Sequence, residues 1–285
     1  MELRTRRIRV GDSGPTLHTL QWGDPAHPQL ILLHGGGANG NWWRHIAPSF
    51  ADRFHVVALD FRGHGDSERP DELVVGAFND DLEALLDHLN RNESALLSNL
   101  GGARRPAVLV GHSMGAHVAF DHASREVVQA LVLIDPSRGA EKRRSRRLRL
   151  ALSFRRSYSS REEAIERYRF LPDAPYVREA LRHSIASHSV EEEADGRWGY
   201  KFDSRWFGLP SRPRPDAQKI TCPTLIVRGA ESDVLSEAGA RELCDELPDG
   251  RLTVVENAGH HIQIDRPEAV VTALASFLGE VLPEQ

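Results

Sequence analysis

The sequence predicts an α/β protein with an open, mostly parallel sheet, and three observations carry that reading. Six short, almost wholly apolar runs recur along the chain, at Leu30–Leu33, Val56–Leu59, Ala107–Val110, Ala130–Ile134, Thr224–Val227 and Leu252–Val255. Runs of this kind suit strands buried on both faces of a parallel sheet. Helical patterns separate them, and the alternation of strand with helix defines the class. The third observation is Val108-Leu109-Val110-Gly111-His112-Ser113-Met114-Gly115-Ala116, where a β-branched run enters Gly-x-Ser-x-Gly and small residues follow at helical spacing. That is how a strand, a sharp turn and a closely packed helix are written.

Taken in order, residues 4–10 and 17–22 alternate polar and apolar around Gly11–Pro15 and predict an antiparallel hairpin. Val75, Phe78, Leu82, Leu85, Leu86 and Leu89 form one apolar helical stripe. Asp265-Arg266-Pro267-Glu268 has capping-box spacing with proline in the first turn of a C-terminal helix. Between Pro136 and about Asp216 no buried strand is evident, and helix-favouring stretches (160–170, 175–188) replace it. Eighty residues exceed any bare loop. The expected organisation is therefore a core over 1–135 and 217–285, with a helical cap inserted at 136–216 over the carboxyl ends of the strands.

Composition narrows the function. The 285 residues carry a net charge of −5, with 27% charged and 40% apolar residues, as in an ordinary globular protein with no general attraction for nucleic acid. No run reaches the ~18 apolar residues of a membrane span, and the N-terminus lacks a secretory pattern, so a cytoplasmic location is expected. Cys222 and Cys244 read as buried free thiols. Residues 138–156 contain nine basic side chains and one acid, either a solvated helical face or an entrance that attracts anions.

A serine nucleophile needs a base, a group that orients the base, and donors for the oxyanion. Ser113 would stand at the tip of its turn. The loop Arg228–Asp233 places an acid after one strand, and Asn257-Ala258-Gly259-His260-His261 places histidine after the last. The order Ser113, Asp233, His260 puts all three at one sheet edge. Upstream, His34-Gly35-Gly36-Gly37 leaves a strand through three glycines, so the Gly36 and Met114 N–H groups are the oxyanion-hole candidates. The Met114 N–H also opens a helix whose dipole is positive at that end. His34, Gly35, Trp42, Trp43 and His112 are pocket-lining candidates; bracing the loops is the alternative use for the histidines, and packing on the sheet for the tryptophans. This chemistry calls for a small-molecule acyl substrate and no cofactor or metal.

Together these pieces resemble the α/β-hydrolase superfamily. The similarity lies in His34–Gly37, Asp60-Phe61-Arg62-Gly63-His64-Gly65-Asp66-Ser67, the elbow at 111–115, Arg228–Asp233, and Gly259-His260 followed by Arg266-Pro267-Glu268. The resemblance implies an eight-stranded sheet with only its second strand antiparallel and a cap after the sixth. It also implies the roles: Ser113 attacks an acyl carbon, His260 moves the proton, and Asp233 holds His260 in the right tautomer. Asp135 also ends a strand where some members carry the acid, but the 229–233 loop fits the family pattern better. Glu231 comes two residues early, and His261 lacks the Gly-His pairing. Relatives acting on epoxides or carbon–halogen bonds use aspartate at the elbow, so Ser113 favours hydrolysis of a carboxylic ester, lactone or thioester. A carbon–carbon bond hydrolase of the meta-cleavage type and a slowly hydrolysing receptor are the alternatives.

Overall fold

A computed structural model describes residues 2–96, 106–137, 156–209 and 213–282. Most of the basic run at 138–156 lies outside the described residues. Eight strands form one sheet: β1 (Arg4–Arg9), β2 (Thr16–Trp22), β3 (Gln29–Leu33), β4 (His55–Asp60), β5 (Val108–His112), β6 (Ala130–Ile134), β9 (Thr224–Gly229) and β10 (Gly250–Val255), in the order β1-β2-β4-β3-β5-β6-β9-β10. Only β2 runs against its neighbours. The N-terminal hairpin, Arg4 opposite Gln21 through Arg9 opposite Thr16, therefore extends the same sheet rather than standing apart.

The apolar runs split between two faces because successive strand side chains alternate. Ile31, Leu33, Val57, Leu59, Leu109 and Leu131 pack with α1 (Ala77–Leu96), α2 (Met114–Ala123) and α5 (Glu237–Glu246). Leu30, Leu32, Val56, Ala58, Val110 and Val132 pack on the other side with α7 (Pro267–Val281). β10 departs from the expectation of full burial: it is an edge strand, and Val254 is exposed.

The segment between β6 and β9 contains α3 (Arg161–Glu166) and α4 (Glu179–His188), and it is not wholly helical. β7 (Val190–Glu192) and β8 (Trp198–Tyr200) form an antiparallel hairpin turned at Gly196, whose φ is +78°. This segment sits on the loops at the strand ends. Its Ile165, Tyr168, Phe170, Ile185 and Val190 share an apolar cluster with Ala38, Trp42 and Ile264. Polar ties fix it there: the Gly65 N–H donates to the Lys201 carbonyl at 2.8 Å, Lys201 Nζ to Asp66 Oδ1 at 2.6 Å, and the Tyr176 N–H to Asp265 Oδ1 at 3.0 Å. Beneath it Asp60 organises the loop after β4, accepting from the Gly40 N–H at 2.5 Å and the Asp66 N–H at 3.0 Å. Helix α6 (Ile262–Asp265) follows the histidine pair at 260–261 and leads into α7.

Candidate active site

Ser113 occupies the joint between β5 and α2 with φ +51° and ψ −112°, a backbone state that L residues rarely adopt. The flanking glycines make the joint sterically feasible. A Cβ on Gly111 would lie 2.4 Å from the Gly115 carbonyl oxygen, and one on Gly115 would lie 2.4 Å from that of Leu33. The strand-to-helix turn thus packs directly on β3, and Ser113 is left half-buried. The Gly35–Gly37 turn closes over it from β3. A Cβ at Gly35 would stand 3.3 Å from Ser113 Cβ and 2.8 Å from His112 Nδ1, while one at Gly36 would meet Phe207 at 2.8 Å. Met114 begins α2 immediately after the serine, so its N–H belongs to the unpaired first turn of that helix.

His260 is buried on the loop after β10, and its Nδ1 donates to Asp135 Oδ2 at 2.7 Å. The sequence expectation for the acid is corrected here: the carboxylate against His260 is Asp135 and not Asp233. Asp135 follows β6 directly, in a left-handed conformation (φ +46°), with its N–H held by the Val227 carbonyl at 2.8 Å and its side chain fully buried. The loop after β9 reaches the same carboxylate through a different residue. Ser232 Oγ donates to Asp135 Oδ2 at 2.5 Å while accepting from the Val234 and Leu235 N–H groups at 3.1 and 3.2 Å. With Ser232 facing inward, its neighbour Asp233 faces solvent. Glu231 accepts from the Tyr176 hydroxyl at 2.6 Å. Burial raises the Asp135 pKa, and the His260 and Ser232 hydrogen bonds act against that rise.

The other histidines brace loops. His34 Nδ1 donates to the Gly35 carbonyl at 2.7 Å and its Nε2 accepts from the Phe61 N–H at 3.2 Å. His112 Nε2 donates to the His260 carbonyl at 3.1 Å, and His261 Nε2 to the Pro172 carbonyl at 2.9 Å. Burial, with neighbouring imidazoles, holds the pKa values of His112 and His261 well below the ordinary histidine value.

A cavity lies between the Gly36–Gly37 turn and the 156–209 segment, walled by Trp42, Tyr168, Phe170, Arg156 and Arg169. Trp42 and Gly36 thus face it. Trp43 does not: it is fully buried in the core with Leu32 and Val56, a correction to its candidacy as a lining residue. His34, Gly35 and His112 stand behind the turn and are not part of the wall. Sequence reasoning missed Ser232, Phe207 and the aromatic wall supplied by the segment. Asp135 carried a visible signal, an acid ending a wholly apolar strand.

A sharp serine-bearing turn, a buried histidine–aspartate pair whose members follow β10 and β6, and a glycine turn beside the serine come together at the carboxyl ends of the parallel strands. The chain belongs to the alpha/beta hydrolase family, whose model matches residues 30–273. It is 28% identical to 2-(acetamidomethylene)succinate hydrolase of Mesorhizobium japonicum, over 96% of this chain and 95% of that protein. It is also 28% identical to epoxide hydrolase 3 of Xenopus tropicalis, over 96% of this chain and 77% of that protein. The crystal structure of E-2-(acetamidomethylene)succinate hydrolase shares the fold, with a TM-score of 0.80, 24% identity, and coverage of 97% of this chain and 99% of the other. Among the described residues no helix is long and apolar enough to cross a membrane.

Proposed function

We propose that the protein is a serine hydrolase that cleaves a carboxylic ester, lactone or thioester through an acyl-enzyme on Ser113. The observation that carries this reading is the buried His260–Asp135 hydrogen bond on the strand ends beside the Ser113 turn. The relatives' names span more than one bond type, and the serine at the elbow favours acyl transfer, because displacement at an epoxide carbon calls for a carboxylate there. In the first half-reaction His260 Nε2 takes the Ser113 hydroxyl proton as Oγ bonds to the carbonyl carbon, and the Gly36 and Met114 N–H groups receive the negative oxygen. Collapse breaks the bond to the leaving oxygen or sulfur, which takes the proton from His260. Water then adds to the acyl group, giving its proton to His260, and the second collapse returns that proton to Ser113 and releases the acid. Asp135 holds the Nδ1–H tautomer throughout and stabilises the imidazolium. The 156–209 segment acts as the cap that shapes the acyl pocket. Arg156 and Arg169 on the cavity wall favour an acyl substrate that carries a carboxylate.

The test is labelling with a fluorophosphonate probe, followed by mapping of the modified peptide and assay of short p-nitrophenyl esters. Modification at Ser113, with turnover reduced roughly 10⁴-fold or more in Ser113→Ala, is the expected result. Retained activity in that variant, or labelling elsewhere, would overturn it.

A further inference from the structure

His112, His260 and His261 stand ring against ring, with centroid separations of 4.7 Å (112 to 260), 4.9 Å (260 to 261) and 5.3 Å (112 to 261). Each has one nitrogen committed to a group that can only accept: the His260 carbonyl for His112 Nε2, the Pro172 carbonyl for His261 Nε2, and the Asp135 carboxylate for His260 Nδ1. The committed nitrogens therefore carry the protons, and the second nitrogen of each neutral ring is a bare lone pair. In His112 and His261 that atom is Nδ1, buried and without a hydrogen-bond partner among the described residues. Ring nitrogens of the three side chains, one from each, lie within 4.8 Å of one another. Tetrahedral coordination at Zn–N distances of about 2.0–2.1 Å sets ligand nitrogens roughly 3.3 Å apart, so the rings must turn inward to close the set.

The surroundings match a metal site as well. Histidines that ligate metals donate their other N–H to a carboxylate or a backbone carbonyl, which orients the ring and raises its basicity. All three histidines here already do so, and Asp135 behind His260 adds compensating charge. Among the described residues a second cluster of compatible groups, His18 with Asp60 and Asp66, is already occupied by internal hydrogen bonds to both Asp60 oxygens.

We propose that His112, His260 and His261 form an inhibitory site for a borderline divalent transition ion, of which Zn²⁺ is the type. The ion takes the His260 Nε2 lone pair, so a loaded enzyme has no base for Ser113. Binding is independent of the reading of Ser113 as the nucleophile; inhibition rests on it.

The experiment titrates Zn²⁺ calorimetrically into the chelator-treated Ser113→Ala chain, and in parallel follows ester turnover of the wild type with Zn²⁺ and then EDTA. One saturating equivalent is expected, weakened at least tenfold by His261→Gln and by His112→Gln, each checked for folding by circular dichroism. Wild-type turnover should vanish with Zn²⁺ and return with EDTA, and His261→Gln should need at least tenfold more Zn²⁺. Absence of saturable binding, or binding unaltered in both glutamine variants, overturns the site. Binding as expected in a chain with no hydrolase turnover would keep the site and overturn the hydrolase reading.

Discussion

Ser232 Oγ lies 2.5 Å from Asp135 Oδ2, the same oxygen that accepts from His260 Nδ1 at 2.7 Å. Two strand-end loops thus converge on one carboxylate, and the loop after β9 contributes a hydroxyl rather than an acid. Asp135→Asn should lower kcat by roughly 10⁴-fold, since an amide no longer enforces the required tautomer. Asp233→Asn, at an exposed position, should stay within about twofold of wild type. Steady-state kinetics on both variants decides the assignment, and the reverse ranking would return the acid to Asp233.

The hydroxyl itself has a measurable part. Ser232 donates to Asp135 and thereby lowers its pKa. Ser232→Ala should reduce kcat by about tenfold with KM little changed, as expected for a lost transition-state contribution of roughly 1.4 kcal/mol. The acid limb of the kcat/KM profile should move to higher pH, and Ser232→Thr should restore both. A variant that merely loosened the fold would not shift that limb.

The apolar runs and the spacing of Gly111, Ser113 and Gly115 revealed the sheet and the elbow, because steric demands on a tight turn leave few choices of residue. The carboxylate that pairs with His260 was harder to read. Asp135 and Asp233 both follow buried strands, and the outcome depends on the path of a short loop in which one residue, Ser232, faces in and the next faces out. Trp42 and Trp43 pose the same difficulty: neighbours in one helical turn point to the cavity and to the core respectively. The three-residue strands β7 and β8 are too short to leave a clear period-two pattern, so the segment reads as helical.

The elbow also predicts where the fold is intolerant. Gly115→Ala sets a Cβ 2.4 Å from the Leu33 carbonyl oxygen, a contact that only backbone movement relieves. A loss of about 1–3 kcal/mol or more is expected, seen as a lower urea midpoint. Gly208→Ala is the control: nothing lies within 4 Å of its added Cβ, and its midpoint should hardly move.

Buried histidines should make the protein sensitive to acid. Burial pushes the His64 pKa down from 6.5 to about 3. Below pH 6.5 the unfolded chain takes up a proton that the folded chain refuses, so stability falls as pH drops toward about 3. The loss is about 1.4 kcal/mol per pH unit in that window for such a group. The urea midpoint should therefore decline from pH 7 to pH 4, and His64→Gln should show a shallower decline from its own pH 7 value. An identical slope in the variant would contradict the assignment of this group.

Charge on the cavity wall sets the last prediction. Arg156 and Arg169 are exposed, so their attraction for a substrate carboxylate is screened by salt. For a pair of esters of equal size, one neutral and one carrying a carboxylate, raising the salt from 20 to roughly 500 mM should raise KM several-fold for the anionic ester only, because the Debye length contracts from about 20 Å to below 5 Å. Arg169→Gln should raise the anionic KM at low salt and leave kcat and the neutral ester nearly unchanged, consistent with a loss of about 1 kcal/mol or less from an exposed pair. Equal salt dependence for the two esters would remove the arginines from substrate selection and leave shape, set by Trp42, Tyr168 and Phe170, as the basis of specificity.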